Sequence, residues 1–318
     1  MKKRIVLCIC TFILIYIINF FIPRLMPGDP FSVGDAGQAT ALLTPEQIEE
    51  MEAYYGMDKP IGEQFLNTVK NNLSGDFGLS IYYKKPVAQI LSERLPWTLL
   101  IMGTTLAGSL LFGILLAFIS VKKKRIDGAL YSIMSALSEI PSFLIGVLLL
   151  FLVAANVSWI PLSGNITAFA RYTSVWQQIW DIFIHALMPV CAMLVVTTPG
   201  FYFVARSSFL SIYQKKYMVN ARAKGLSDRR IRWQYLMKNA VLPIAARLFL
   251  SVGTCIGATL LIENVFAYPG LGRILRESVK YRDYMLIQGV FLLSTALVLL
   301  SSFLSDVLDH LSKRRETI

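Results

Sequence analysis

Residues 97–120 read WTLLIMGTTLAGSLLFGILLAFIS, a run without Asp, Glu, Lys or Arg. A helix needs about 17–25 predominantly apolar residues to cross the hydrocarbon core of a bilayer, so this stretch is long enough to span. Five more stretches meet the same requirement, at roughly 5–22, 133–155, 182–205, 243–267 and 284–306. Composition agrees: of 318 residues, 55% are hydrophobic and 16% charged, and the mean hydropathy is +0.56. The expected fold class is all-α, a polytopic membrane protein with six transmembrane helices. Lys2, Lys3 and Arg4 precede the first run as they would in a secretory leader. That run is too long for a leader, and Ile22-Pro23-Arg24-Leu25 offers no small-residue cleavage site, so it is read as a retained anchor.

A net charge of +11 would raise nucleic acid as a partner for a water-soluble protein. In a membrane protein, basic residues first report topology, because short cytoplasmic loops retain them. With the N-terminus inside, nineteen of the 31 Lys and Arg fall in cytoplasmic segments and eleven outside, while Arg247 lies within the fifth span. Both termini are therefore expected in the cytoplasm and the chain in the plasma membrane, among lipids, with no nucleic-acid partner. Cys8, Cys10, Cys191 and Cys255 all lie in apolar stretches, and only two histidines are present. No metal site and no cofactor is expected from such a set.

Two polar segments are too long to be turns. The first, 23–96, holds ten acidic and six basic residues. Thr44-Pro45-Glu46-Gln47 supplies an N-cap, a proline at the first helical position and a capping-box glutamine, and Gly56 closes the helix. A second short helix is expected after Pro60, with Phe65, Leu66 and Val69 on its apolar stripe. This segment is either a lid on the bundle or a docking surface for an extracytoplasmic partner. The division expected is an anchor at 1–22, an extracytoplasmic segment at 23–96 and a five-span core at 97–318. The second segment, 206–242, reads as helix, break, helix. Leu210, Tyr213, Tyr217 and Ala221 recur at helical spacing, Gly225 stops the helix, and Ser227-Asp228 starts another. Ile231, Tyr235 and Leu236 lie near one face of that helix, which either rests on the membrane surface or enters a cleft of a soluble partner.

Tyr217, Ala221-Arg222-Ala223-Lys224-Gly225-Leu226 and Asn239-Ala240-Val241-Leu242-Pro243 stand in an order that resembles the cytoplasmic EAA loop of ABC importer permeases, here 206–243. Met26-Pro27-Gly28-Asp29-Pro30, Tyr55-Gly56-Met57-Asp58-Lys59-Pro60, Gly75-Asp76-Phe77-Gly78-Leu79-Ser80, Pro86-Val87 and Arg94-Leu95-Pro96-Trp97-Thr98 resemble the first outer segment of the oligopeptide, dipeptide and nickel importer permeases, B-type subunit. Glu263-Asn264-Val265-Phe266-Ala267-Tyr268-Pro269-Gly270-Leu271-Gly272-Arg273 is similar to the signature before their last helix. The resemblance implies that Tyr217 and 221–226 couple to cytoplasmic ATP-binding subunits, that a C-type permease completes a heterodimer, and that an extracytoplasmic solute-binding protein delivers the solute. It implies inward movement of peptides by alternating access, with nickel or a metal chelate as the alternative solute. An ion-coupled secondary transporter is the alternative of another class. Val219 stands where many importer permeases carry the glutamate that names the loop, so a role for a carboxylate there is not carried over. The peptide and nickel branch commonly lacks it too.

Motifs for chemistry are absent. No glycine of the 103, 108, 113 series is followed by the lysine of a phosphate loop, no His-Glu-x-x-His or Gly-x-Ser-x-Gly occurs, and Ser120-Val121-Lys122-Lys123 is read as lysines reaching the membrane surface. The chain is expected to be a transport subunit without its own ATPase site. Polar residues inside spans are costly and each needs an explanation. Glu139, before Pro141, either faces a water-filled path or bonds a neighbouring helix. His185 is read as interfacial, and Thr197-Thr198-Pro199-Gly200 as a static helix break. On the fifth span Arg247, Ser251, Thr254 and Ala258 share one narrow stripe, the candidate solute path, although Arg247 also has the option of reaching the cytoplasmic surface. Gly253, Gly257 and Asn264 form a flatter strip suited to helix packing. Glu263 falls away from the path, near the Pro269-Gly270 turn, and is read as an anchor of that turn.

Overall fold

The computed structural model describes residues 2–27, 31 and 44–316, so Gly28-Asp29-Pro30 of the first outer motif lie outside the described residues. Helices account for all named elements. They are α1 (Lys2–Arg24), α2 (Pro45–Tyr55), α3 (Ile61–Leu73), α4 (Val87–Lys122), α5 (Lys124–Ser138) and α6 (Ser142–Leu149), the last prolonged by a π-helical turn, Leu150–Ala154. There follow α7 (Val175–Tyr213), α8 (Lys216–Ala223), α9 (Asp228–Arg230), a π-helical stretch (Ile231–Met237), α10 (Lys238–Val265), α11 (Leu271–Lys280) and α12 (Tyr284–Glu316).

Among the described residues five helices are long and apolar enough to cross a membrane, or six if the bent pair at the expected span 133–155 counts as one. That span is two helices, Arg125–Ser138 and Ser142–Ala154, bent by 92° around Pro141. Proline disfavours the helical conformation in the residue before it and has no N–H to continue the ladder, so Ile140-Pro141 separates α5 from α6. The break expected at Thr197–Gly200 does not form: α7 runs unbroken through both Pro189 and Pro199. Close packing accompanies this continuity. A Cβ on Gly113 of α4 would fall on Phe201 and Tyr202 of α7, so this glycine sets the approach of the two helices just beyond the proline.

The helix carrying 97–120 starts ten residues earlier than expected, at Val87, within the outer segment. The second helix of the 206–242 segment is also longer than expected. Asp228–Val265 is one continuous 38-residue helix, so Ile231 and Leu236 belong to the base of the fifth span and are buried there.

Packing runs α4 against α7, α7 against α10, α10 against α12 and α12 against α1. Two contacts fix the polarity of the last pair: Arg4 pairs with Asp306 at 3.3 Å, and Asn19 Nδ2 donates to the Gln288 carbonyl at 3.1 Å. Thr98 of α4 meets Glu263 of α10, and Lys122 meets Asp228, so these helices are antiparallel. The start of α1, the ends of α4, α7 and α12, and α8 thus share one end of the bundle; α2, α3 and α11 cover the other.

At the α11 end the expected caps form, and the expected apolar stripe forms in part. Thr44 and Gln47 form the capping box of α2, and Gly56 closes it with φ +67°. Phe65 of α3 packs edge-on against Tyr16 and Phe20 of α1, while Leu66, expected on the same stripe, is 67% exposed. The loop before α4 is pinned to the loop before α12: Ser80 donates to Asp283, the Tyr82 amide donates to the same carboxylate at 3.1 Å, and Tyr82 stacks on Tyr281 at 3.9 Å. Tyr83 donates to Glu277, and partial burial followed by that bond raises its phenol above the ordinary range.

Candidate coupling surface and translocation cleft

α8 is a two-turn helix set between two sharp reversals. Gln214-Lys215 turn the chain out of α7, so Leu210 and Tyr213 belong to α7 and do not continue the spacing of Tyr217 and Ala221 as expected. At the far end Gly225 adopts φ +69°, a conformation strained for any residue with a Cβ, and Leu226 N bonds the Ala221 carbonyl at 3.4 Å. Ser227 holds the N-cap position of the next helix in extended conformation, without a side-chain capping bond. Met218 and Ala221 are buried beside Ile212, Ile231 and Leu236, which anchors α8 to α7 and to the base of the long helix. Tyr217, Val219, Ala223, Lys224 and Gly225 stay exposed and Leu226 is half-buried, with Tyr217 stacked at 6.4 Å from Tyr235. Partial burial raises the Tyr217 phenol above its usual range. The side chain of Arg222 lies outside the described part of the structure.

Behind α8 lies an ion pair that sequence reasoning missed. Arg206 of α7 grips Asp127 of α5 with two bonds, Nε to Oδ1 at 2.7 Å and Nη2 to Oδ2 at 2.5 Å. Its guanidinium stands 5.2 Å from the Tyr131 ring, Ser120 of α4 donates to the same carboxylate, and Ser120 meets the Tyr202 hydroxyl at 2.8 Å. Seventy-nine residues separate the pair, and each partner alone reads as a topology marker beside an apolar run.

The candidate path residues do not all meet. A cleft of about 530 Å³ opens between α7, α10 and the Pro141 elbow. Arg247, Thr254 and Ala258 line it from α10, Thr197 and Gly200 from α7, and Ser138 and Ser142 from either side of the elbow. Ser251 does not reach it: the residue is 1% exposed, turned into the packed interior, and accepts from Thr254 Oγ1 through its carbonyl at 3.0 Å. Glu139 is exposed at the end of α5 and is not among the lining residues. On the opposite strip Gly253 packs against Val298, but a Cβ on Gly257 would meet nothing, so only part of that strip is a packing face.

Glu263 is a turn anchor. It is fully buried, its Oε1 accepts from Thr98 Oγ1 at 2.6 Å, and its Oε2 accepts from the Gly272 amide at 2.6 Å. Thr98 Oγ1 in turn accepts from the Leu271 amide at 2.8 Å, so one carboxylate and one hydroxyl fix the first amides of α11. His185 is buried within the bundle. Its Nδ1 lies 2.8 Å from the Asp181 carbonyl, and the Asp181 carboxylate accepts from Thr167 and Tyr172 of the preceding loop.

Comparison with known proteins agrees with this arrangement. Residues 109–317, from mid-α4 to beyond α12, match the family described as binding-protein-dependent transport system inner membrane component. A probable peptide ABC transporter permease, y4tP of Sinorhizobium fredii, is 31% identical over 307 residues, covering 96% of this chain and 95% of its own. The oligopeptide transport system permease AppB of Bacillus subtilis is 29% identical, over 96% and 95%. The glutathione transport system permease GsiC of Escherichia coli K12 is 29% identical, over 96% and 94%. With the family matched over residues 109–317 and a relative 31% identical over nearly the full length of both chains, the chain belongs to the family of binding-protein-dependent transport system inner membrane components.

Proposed function

We propose that this chain is the permease subunit of an ABC importer that moves peptides into the cytoplasm by alternating access. The observation that carries this reading is α8: a short helix with its inner face buried under Met218 and Ala221 and its outer face free, held between the end of α7 and the base of the long helix that lines the cleft. A push on that helix is passed to two walls of the cleft at once. The named roles of the relatives, peptide, oligopeptide and glutathione transport, favour peptides over nickel or a chelate. In this reading Tyr217 and 221–226 contact the ATP-binding subunits, which supply the hydrolysis that this chain does not perform. A second permease forms a heterodimer with it, a solute-binding protein docks on the outer segment within 23–96, and both termini face the cytoplasm. Co-purification with the ATP-binding subunits, and ATP hydrolysis stimulated by peptide-loaded binding protein, is the expected result. Uptake driven by an ion gradient without any ATPase would overturn it.

Arg247, Thr254 and Ala258 are proposed to line the path, with Glu139 at its rim. With the native cysteines replaced, cysteines at 254 and 258 should react with water-soluble thiol reagents in a nucleotide-dependent manner. A cysteine at 251 should stay unlabelled, as should one at 253, which packs against Val298. Equal labelling at 251 and 254 would reject this path.

A further inference from the structure

Arg247 is a charged side chain within a membrane-crossing helix, and such a group is normally paired or faces a water-filled cavity. The guanidinium crosses from α10 to α7 and lies where a Cβ on Gly200 would stand, so the glycine after Pro199 makes room for it. Its Nε is buried without a hydrogen-bond partner, and no carboxylate among the described residues lies within ion-pair distance. The residues lining the cleft around it offer the hydroxyls of Ser138, Ser142, Thr197 and Thr254 and no acid; Glu139, between Ser138 and Ile140 at the rim, is exposed and forms no ion pair with Arg247. A cation with an unpaired donor, in a space of about 530 Å³ lined by four hydroxyl side chains among apolar ones, is complementary to one anionic group on a small solute.

We propose that Arg247 forms a carboxylate subsite on the translocation path, engaging the free carboxyl group of the transported solute. This rests on the reading of the chain as a peptide-importing permease, since a peptide with a free C-terminus carries that group. Guanidinium and carboxylate match as a planar fork, which orients the solute along the cleft. A single cation without a second nearby holds the solute loosely enough to release it when the cleft reopens on the other side. Gly200 shares the site, because a larger residue there displaces the guanidinium.

The test uses the whole complex in vesicles with its binding protein. Uptake of alanyl-phenylalanine and of its C-terminal amide is compared in the native complex, Arg247→Gln and Arg247→Lys, normalised to assembled complex. The binding protein is common to all, so its own preference cancels when the acid-to-amide ratios are compared. That ratio should fall about tenfold in Arg247→Gln, the loss expected for one charge-assisted contact, and be largely kept in Arg247→Lys. Equal loss for both solutes, or no change, overturns the subsite. A second arm needs no solute: Thr254→Cys, in a chain without native cysteines, is labelled with an anionic and a cationic thiosulfonate. The anionic reagent should be favoured with Arg247 present and lose about tenfold of that preference in Arg247→Gln. No preference in the complete complex, as when a partner subunit's acid neutralises Arg247, also overturns it. If neither peptide enters through the native complex, the peptide reading fails, while the reagent ratio still decides whether the cleft is an anion site.

Discussion

At the scale of single residues, the Arg206–Asp127 pair carries a large consequence for a small feature. Both side chains are about three-quarters buried, the contact is bidentate, and it joins α5, the arm leading to the Pro141 elbow, to α7, the arm leading to α8. Exposed ion pairs contribute about 0–1 kcal/mol, and removing one partner of a buried pair costs about 3–5 kcal/mol. An intermediate coupling of about 1–3 kcal/mol is expected here. A double-variant cycle with Asp127→Asn and Arg206→Gln, read by thermal unfolding in detergent, measures it. Additive effects of the two substitutions would show that the pair does not couple the arms.

At the scale of elements, α8 stands or falls with its ends. Gly225→Val places a β-branched side chain at φ +69° and should cost about 1 kcal/mol locally while misaiming the helix that starts at Asp228. Ala221→Arg forces a charge into the contact between α8, α7 and the long helix, where the native residue is 2% exposed. Either change should leave the protein in the membrane with solute-stimulated ATP hydrolysis of the complex reduced at least several-fold. Normal hydrolysis and transport with both would remove α8 from the coupling surface. The elbow at Pro141 has the opposite sensitivity: α5 and α6 meet at 92°, and the cleft is lined from both sides of the corner, so it is shape rather than contact chemistry that the proline supplies.

For the whole molecule, the ends of the bundle make a definite statement about sidedness. Reporters fused after residues 60 and 275 should read outside, and those after 125, 225 and 315 inside. A cytoplasmic residue 60 would invert the arrangement, because α2 and α3 lie at the α11 end, opposite α8. Such an outcome would remove both the coupling assignment of α8 and the outer docking role of the 44–86 region.

The sequence by itself determined where helices form and several of their ends. Uncharged runs such as 97–120 must be helical in a bilayer because lipid offers no partner for backbone N–H and C=O groups. The ends of α2 and α8 at Thr44, Gly56 and Gly225 follow from local hydrogen bonding and backbone freedom, which depend on a few neighbouring residues. Tertiary structure alone decided which proline interrupts its helix. Pro141 and Pro199 both lack a backbone N–H and both border the cleft, yet the helix continues through Pro199, where α4 packs on α7 next to Gly113 and Arg247 reaches Gly200, and ends at Pro141. It also decided that Thr254 faces the cleft while Ser251, one turn earlier on the same stripe, is buried. Helical periodicity gives the spacing of side chains around an axis, but the rotation of that axis is set by what packs against it, and for α10 those neighbours are α7 and α12.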